Sequence, residues 1–205
     1  MIIQSLVAGP LGVNCYVLCD ESQKRCAIVD PGGDAQRIAA VVSETGCTPC
    51  AVLLTHGHYD HTGAAAALAQ QWNVPVYLNQ RDVYADDLRM QQLFPLLPNT
   101  VNYDEGDTIA VGDLTVKVLA TPGHSEGSVT LHCEDALFVG DTLFAGSMGR
   151  TDFPGGSTKK IMASLKRLNG FDGDCRVYPG HMESSTIENE RHWNPYLQQA
   201  IHLQF

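Results

Sequence analysis

Three histidines and an aspartate fall within six positions, His56-Gly57-His58-Tyr59-Asp60-His61, one residue beyond the apolar run Ala51–Leu54. An apolar run that short reads as a buried strand, and Ala64–Trp72 beyond the cluster reads as a helix. The polar residues therefore occupy a turn at the carboxyl end of a strand. Layered folds commonly place ligands there, a point of fold-level analogy. So dense a set of imidazoles and carboxylates either holds one ion alone or needs other turns to close around it.

Three later stretches have the same form. The apolar run Leu114–Leu119 leads into Thr121-Pro122-Gly123-His124, Ala136–Val139 into Gly140-Asp141-Thr142, and Arg176–Tyr178 into Pro179-Gly180-His181. Each puts a metal-capable side chain just after a strand, beside glycine or proline that tightens the turn. Neutral imidazoles and ionised carboxylates suit zinc, iron or manganese. His56 and His58 share a turn and could face one ion, with His124 completing a three-histidine set. Asp60 and His61 with His181 offer a second set. Asp141 has two oxygens and could lie between ions about 3.5–4 Å apart. Taken singly, His124 or His181 would be an ordinary loop residue, Asp60 a helix cap and Asp141 a turn residue bonded to its own backbone. Four strand-end turns carrying compatible ligands favour the metal reading. His132, His192 and His202 lack that context, and His132 lies in a strand pattern.

The remaining chain reads as one soluble domain spanning residues 1–205, of a length that supports a single sizeable core. Ile2–Val7, Cys15–Cys19 and Cys26–Val29 are expected strands. Asp34 is placed to cap a helix carrying Ile38, Val41 and Val42 and ending before Gly46. Val74–Leu78 is a further short strand, restricted by Pro75. Segment 79–99 is the least legible: Arg81–Leu88 is compatible with a helix, and Phe94–Pro98 with an apolar loop. Strands return at Thr108–Ala110, Leu114–Leu119, Ser128–Cys133, Ala136–Val139 and Arg176–Tyr178. Ser157 is expected to cap a helix carrying Ile161, Leu165 and Leu168. Ser185 and Glu188 have capping-box spacing for another helix, and Tyr196–Leu203 forms a short terminal one beyond Pro195. The pattern fits two sheets packed face to face with helices outside.

A net charge of −10 argues against nucleic acid or an anionic membrane as partner. The first residues lack a basic region ahead of their apolar stretch, and no apolar run approaches a membrane span, so the cytoplasm is the expected location. Seven cysteines, an odd number, argue against a disulfide framework, and Cys47-Thr-Pro-Cys50 is read as two plain thiols.

The HxHxDH arrangement at His56–His61, followed by His124, Asp141 and His181, resembles the metallo-β-lactamase fold superfamily. Within it, the chain looks like the glyoxalase II-like (hydroxyacylglutathione hydrolase-like) branch. The likeness runs from the first hairpin to Tyr178–His181. It implies an α+β, four-layer αββα sandwich with a dinuclear centre between the sheets. It assigns His56, His58 and His124 to one metal, Asp60, His61 and His181 to the other, and Asp141 to the bridge. Two divalent ions are implied, zinc foremost, with iron and manganese compatible. Two familiar β-lactamase groups differ in the second-metal set, one using cysteine. The superfamily's nucleases bring an additional nucleic-acid-binding region with no counterpart here. Full glyoxalase II enzymes carry a C-terminal helical domain that contributes to thiol-conjugate binding. This sequence ends at Phe205, so that domain is expected to be missing.

The resemblance implies hydrolysis of a small thioester, such as S-lactoylglutathione or a related acyl-thiol, by a metal-bridging hydroxide. Asp60 and Asp141 take the catalytic roles, and the expected partner is a small anionic thiol conjugate. Arg150 lies where such enzymes carry a basic residue near the charged part of the substrate, in competition with an ion pair to Asp152. Tyr59, inside the signature, is a second candidate substrate contact. Two rival readings stand beside hydrolysis. One is an iron-dependent persulfide dioxygenase using His56, His124 and Asp141; the other is a non-catalytic metal-binding protein. The expected assembly is a monomer or small homo-oligomer.

Overall fold

The alternation of side chains along each strand decides how the layers stack. In a computed structural model describing residues 1–203, β1 (Ile2–Ala8), β2 (Val13–Asp20), β3 (Arg25–Val29), β4 (Thr48–Leu53), β5 (Val76–Leu78) and β6 (Thr100–Asn102) form one six-stranded sheet in that order. Along β2, Tyr16 and Leu18 point to one face, and Cys15, Val17 and Cys19 to the other. The first face meets the second sheet. The other is covered by α1 (Ala35–Thr45), which brings Ile38 and Val42, and by α3 (Ala65–Trp72), which brings Leu68. Burial on both faces explains why these strands read as continuous apolar runs.

The second sheet has the order β14-β13-β10-β9-β8-β7, built from β7 (Thr108–Val111), β8 (Leu114–Ala120), β9 (Val129–Cys133), β10 (Ala136–Gly140), β13 (Arg176–Pro179) and β14 (Ser185–Thr186). Within β10, Ala136 and Phe138 face the inter-sheet core. Leu137 and Val139 face α4 (Thr158–Asn169), α5 (Ile187–Trp193) and α6 (Pro195–His202), through residues such as Leu165, Ile187 and Leu197. A short hairpin, β11 (Leu143–Phe144) with β12 (Ser147–Met148), stands apart from both sheets. The result is the αββα sandwich expected from the sequence. Among the described residues, no helix is long and apolar enough to cross a membrane.

Several local expectations need correction. Asp34 precedes α1 in a left-handed conformation and makes no cap bond; its Oδ2 instead accepts from the Gly9 amide at 3.0 Å. Arg81–Leu88 is no α-helix, containing only a 3-10 turn at Gln80–Asp82, with a second at Met90–Gln92. Asp82 is held inward there by polar partners, which overrides the weak helical preference of its neighbours. The cap of α5 is Thr186, whose hydroxyl accepts from the Asn189 amide, because Ser185 is engaged by Glu190. Strand β6 and the β11–β12 hairpin had no expected counterpart. A one-turn helix, α2 (Tyr59–Thr62), occupies the back half of the histidine-rich turn.

All seven cysteines are free thiols. Cys47 lies in the core under α1, while Cys50 packs against the opposite, inter-sheet cluster. A strand that begins between them turns the two side chains to different faces.

The inter-sheet core closes around Tyr16, Phe138 and Tyr178, whose ring centroids lie 5.3–5.4 Å apart. Phe138→Ala should destabilise the protein by about 3–5 kcal/mol through lost burial and the cavity left behind. Urea unfolding should show a lower midpoint with an unchanged slope.

Candidate metal centre

All seven candidate ligands converge on one edge of the sandwich, between the sheets. Strands β3 and β4 run parallel, as do β10 and β13, and β8 shares the direction of β10 because each is antiparallel to β9. Within each sheet, therefore, the turns bearing ligands leave from the same end. His56 and His58 follow β4 of the first sheet, with Asp60 and His61 on α2. His124, Asp141 and His181 follow β8, β10 and β13 of the second.

Three imidazole nitrogens meet first: His58 Nδ1 lies 3.0 Å from His56 Nε2 and 2.9 Å from His124 Nε2. His124 Nδ1 lies 2.8 Å from the Arg150 carbonyl, which can only accept. That bond puts the ring proton on Nδ1 and leaves the Nε2 lone pair facing the cluster. A second set joins Asp60, His61 and His181. His181 Nε2 is 3.2 Å from Asp60 Oδ2, and His61 Nε2 is 3.8 Å from the same oxygen. Asp141 touches both sets, with Oδ1 3.3 Å from His61 Nε2 and Oδ2 3.4 Å from His124 Nε2.

Buried polar atoms normally find a partner. Here His61 Nε2 and Asp141 Oδ1, 3.3 Å apart within the cluster, make no hydrogen bond among the described residues, while on His58 it is Nδ1 that turns to the other rings. Convergent lone pairs beside partly buried carboxylates fit cations, and the ligand atoms within each of the triads His56/His58/His124 and Asp60/His61/His181 lie within 4.8 Å of one another.

Electrostatics point the same way. Burial, aided by the neighbouring imidazoles, holds His56 well below the usual histidine range and pushes His58 down to about 3. Both rings are neutral at physiological pH, the form that binds a metal. Burial would also lower His61, but Asp141 and Asp30 outweigh it and raise its affinity for positive charge. The hydrogen bond to Asp60 raises His181 despite burial. For Asp141, burial works against ionisation, and the facing His61 and His124 overcome it, holding the carboxyl well below its ordinary range.

Some supporting residues were not singled out from the sequence. Asp30 Oδ2 lies 2.9 Å from His61 Nδ1 and accepts from the Thr55 hydroxyl at 2.6 Å, fixing the ring. Its context, a strand ending in Asp30-Pro31-Gly32, has the same form as the ligand turns and could have revealed it. Asn14 Nδ2 donates to the carbonyls of Pro179 and Met182, and the Tyr16 hydroxyl to that of Pro179, steadying the His181 turn. Neither carries a local sequence signal, because both lie far from that turn along the chain.

His58, Asp60, His124, Asp141 and His181 open onto a cavity of about 630 Å³, walled further by Leu93, Phe144, Met148, Phe153 and Met182. Leu93 comes from segment 79–99, which also accepts the Tyr59 amide at the Leu93 carbonyl and packs Phe94 against His58. Tyr59 and Arg150 line the same cavity. Arg150 is paired through Nε and Nη2 to both oxygens of Asp152 and stacks over Phe153 at 3.9 Å, leaving Nη1 outside the pair. His132 is elsewhere, on β9, bonded to the Glu134 carbonyl.

A fold and centre of this kind define a class, and sequence comparison agrees with it. The profile of the metallo-beta-lactamase superfamily matches residues 8–181, and the chain belongs to that superfamily. It is 33% identical to "Hydroxyacylglutathione hydrolase GloC" of Haemophilus influenzae over 90% of this chain and 92% of that protein. Among solved structures, TTHA1623 in a di-iron-bound form superposes with a TM-score of 0.82 at 36% identity, covering 94% of this chain and 99% of that one. ETHE1 from Myxococcus xanthus gives 0.82 at 28% identity, covering 100% and 92%.

Gly180 is the spacer that lets the two sets meet. A Cβ there would lie 2.3 Å from Asp141 Oδ1 and 2.5 Å from His61 Cε1. Gly180→Ala should therefore reduce bound metal per chain, measured by elemental analysis. Gly170→Ala, whose nearest atom would be the Arg167 carbonyl at 3.2 Å in a right-handed helical backbone, should leave it unchanged.

Proposed function

We propose that this protein is a metal-dependent hydrolase of small acyl thioesters, with two divalent ions held by His56, His58 and His124 and by Asp60, His61 and His181, and Asp141 shared between them. The observation that carries the reading is the pair of converging ligand sets joined through Asp141, opening on a cavity of small-molecule size. Similarity to a hydroxyacylglutathione hydrolase over nearly the whole chain supports thioesters as the substrate class. Zinc is the first candidate ion, although the ligands suit iron equally and a similar structure holds two irons.

The chemistry that divalent ions supply in such a centre is Lewis acidity, which polarises an acyl carbonyl and acidifies water. The chain supplies the rest. The Asp60 carboxyl is kept ionised by His181 and His61 against the effect of burial, and it lines the cavity beside both rings. It is placed to accept a proton from water there. Asp141, ionised and shared by both sets, holds them in register. Leu93, Phe144 and Met148 shield the reacting acyl group from bulk solvent. A thiolate leaves with little help, since thiols are already far more acidic than alcohols. Arg150 Nη1 is the cationic donor available to an anionic substrate group.

A second reading, an iron-dependent persulfide dioxygenase using His56, His124 and Asp141, is supported by the likeness to ETHE1. Metal analysis together with oxygen consumption on a glutathione persulfide separates it from hydrolysis. A metal-binding protein without turnover would be inert in both assays.

Asp141→Ala should lower bound metal and S-lactoylglutathione hydrolysis together; wild-type values for both would remove Asp141 from the centre. Arg150→Ala should raise KM for anionic thioesters several-fold with kcat nearly unchanged, as expected when a contact is equal in ground and transition states. Steady-state kinetics across anionic and neutral thioesters would check it.

A further inference from the structure

The three-histidine site is assembled from opposite sheets, so its geometry depends on what fixes one turn against the other. His56 and His58 stand in the turn after β4, whereas His124 follows β8. One side chain bonds to both turns. Asp82, 2% exposed, lies at the end of the 3-10 turn that follows β5. Its Oδ2 accepts from the Gly57 amide at 2.9 Å, between the two histidines, and from the Ser125 hydroxyl at 2.7 Å, next to His124. Its Oδ1 accepts from the Gly127 amide at 2.7 Å, farther along the same turn.

The space for this carboxylate is built into both partners. A Cβ on Gly57 would lie 2.8 Å from Asp82 Cβ, and one on Gly127 would lie 2.7 Å from Asp82 Cγ. Either substitution would push the carboxylate away from the turns it joins. The Ser125 hydroxyl is further fixed by Ser128 Oγ at 2.7 Å, and Ser128 Oγ accepts the Ser125 amide at 3.0 Å. Burial pushes the Asp82 carboxyl above its ordinary range, and the bonds from Ser125, Gly57 and Gly127 offset part of that effect. No comparable bond runs from Asp82 to Asp60, His61 or His181 among the described residues.

We infer that Asp82 is the positioning residue of the three-histidine site, tying the His56/His58 turn to the His124 turn and setting the affinity of that site alone. The inference rests on the dinuclear reading proposed above. Asp82 touches neither the metal ligands' donor atoms nor the cavity, so its action runs through Gly57, Ser125 and Gly127. Asp82→Asn keeps the volume but sets an amide donor against a donor at one end of the tie. Ser125→Ala removes one of the three bonds with little change in volume.

The test is competitive zinc titration of metal-free protein against a chromophoric chelator, with thermal unfolding of the same metal-free samples. Each variant is measured alone and combined with Asp60→Ala, which disables the second site and leaves the three-histidine site to be read. Asp82→Asn should weaken that site about 10–100-fold, the range for lost support of a metal ligand, and Ser125→Ala should weaken it less. Zinc affinity at the Asp60/His61/His181 site should stay within about threefold of wild type, an allowance far smaller than that range. Unchanged affinity at the three-histidine site in both variants would overturn the inference while leaving the dinuclear reading intact. Equal weakening of both sites in step with a fall in melting temperature would also overturn it, by showing a general structural role. If Asp82→Asn does not fold, Ser125→Ala decides. Wild-type protein that takes up no zinc or iron would overturn the dinuclear reading itself, and this inference with it.

Discussion

The direction of the strands is the constraint from which the rest follows. Parallel pairing of β3 with β4 and of β10 with β13 sends successive turns out of the same end of each sheet, and face-to-face packing brings the two ends together. Groups that would be dispersed along the sequence are thereby forced into one small volume. Gathering five imidazoles, four of them buried, with two partly buried carboxylates would be costly without compensation, because solvation is lost and lone pairs face one another. The sandwich tolerates them because each ring has a fixed role. Some are neutral through burial, others are held close to carboxylates that favour positive charge.

Support for the centre is divided by sheet. On the first sheet, Asp30 orients His61 and Thr55 closes behind His56. On the second, the Arg150 carbonyl sets the tautomer of His124. Asn14 and Tyr16 reach across from β2 to hold the Pro179–Met182 turn, so the two sheets are tied on that side as well. A centre built across an interface needs such cross-ties, because small sliding of one sheet over the other would separate the ligand sets.

What could be read in the sequence was what repeats or alternates. Continuous apolar runs in β2 and β10 and alternating burial in β8 gave away the sheets, and four strand-end turns with the same form gave away all seven ligand candidates. The illegible parts have physical reasons. Strand β6 is three residues long with two of them exposed, too short to show a pattern. The turn that carries Asp82 has no periodicity, and what fixes it are partners at positions 57, 125 and 127, invisible to a local reading. Asp34 looked like a cap because capping is the common local use of aspartate; here the Gly9 amide, 25 residues away, competes successfully for the carboxylate. Long-range bonds of this kind are where local rules stop.

Residue 150 joins two duties in one position and keeps them chemically separate. Its carbonyl fixes the His124 ring, a service any amino acid can perform, while its guanidinium leans over Phe153 at the cavity wall. The side chain is thus free to drift in evolution without disturbing the ligand behind it. A fold arranged in this way can change what it accepts while keeping its reactive centre, and position 150 is where such a change of diet would leave its first trace.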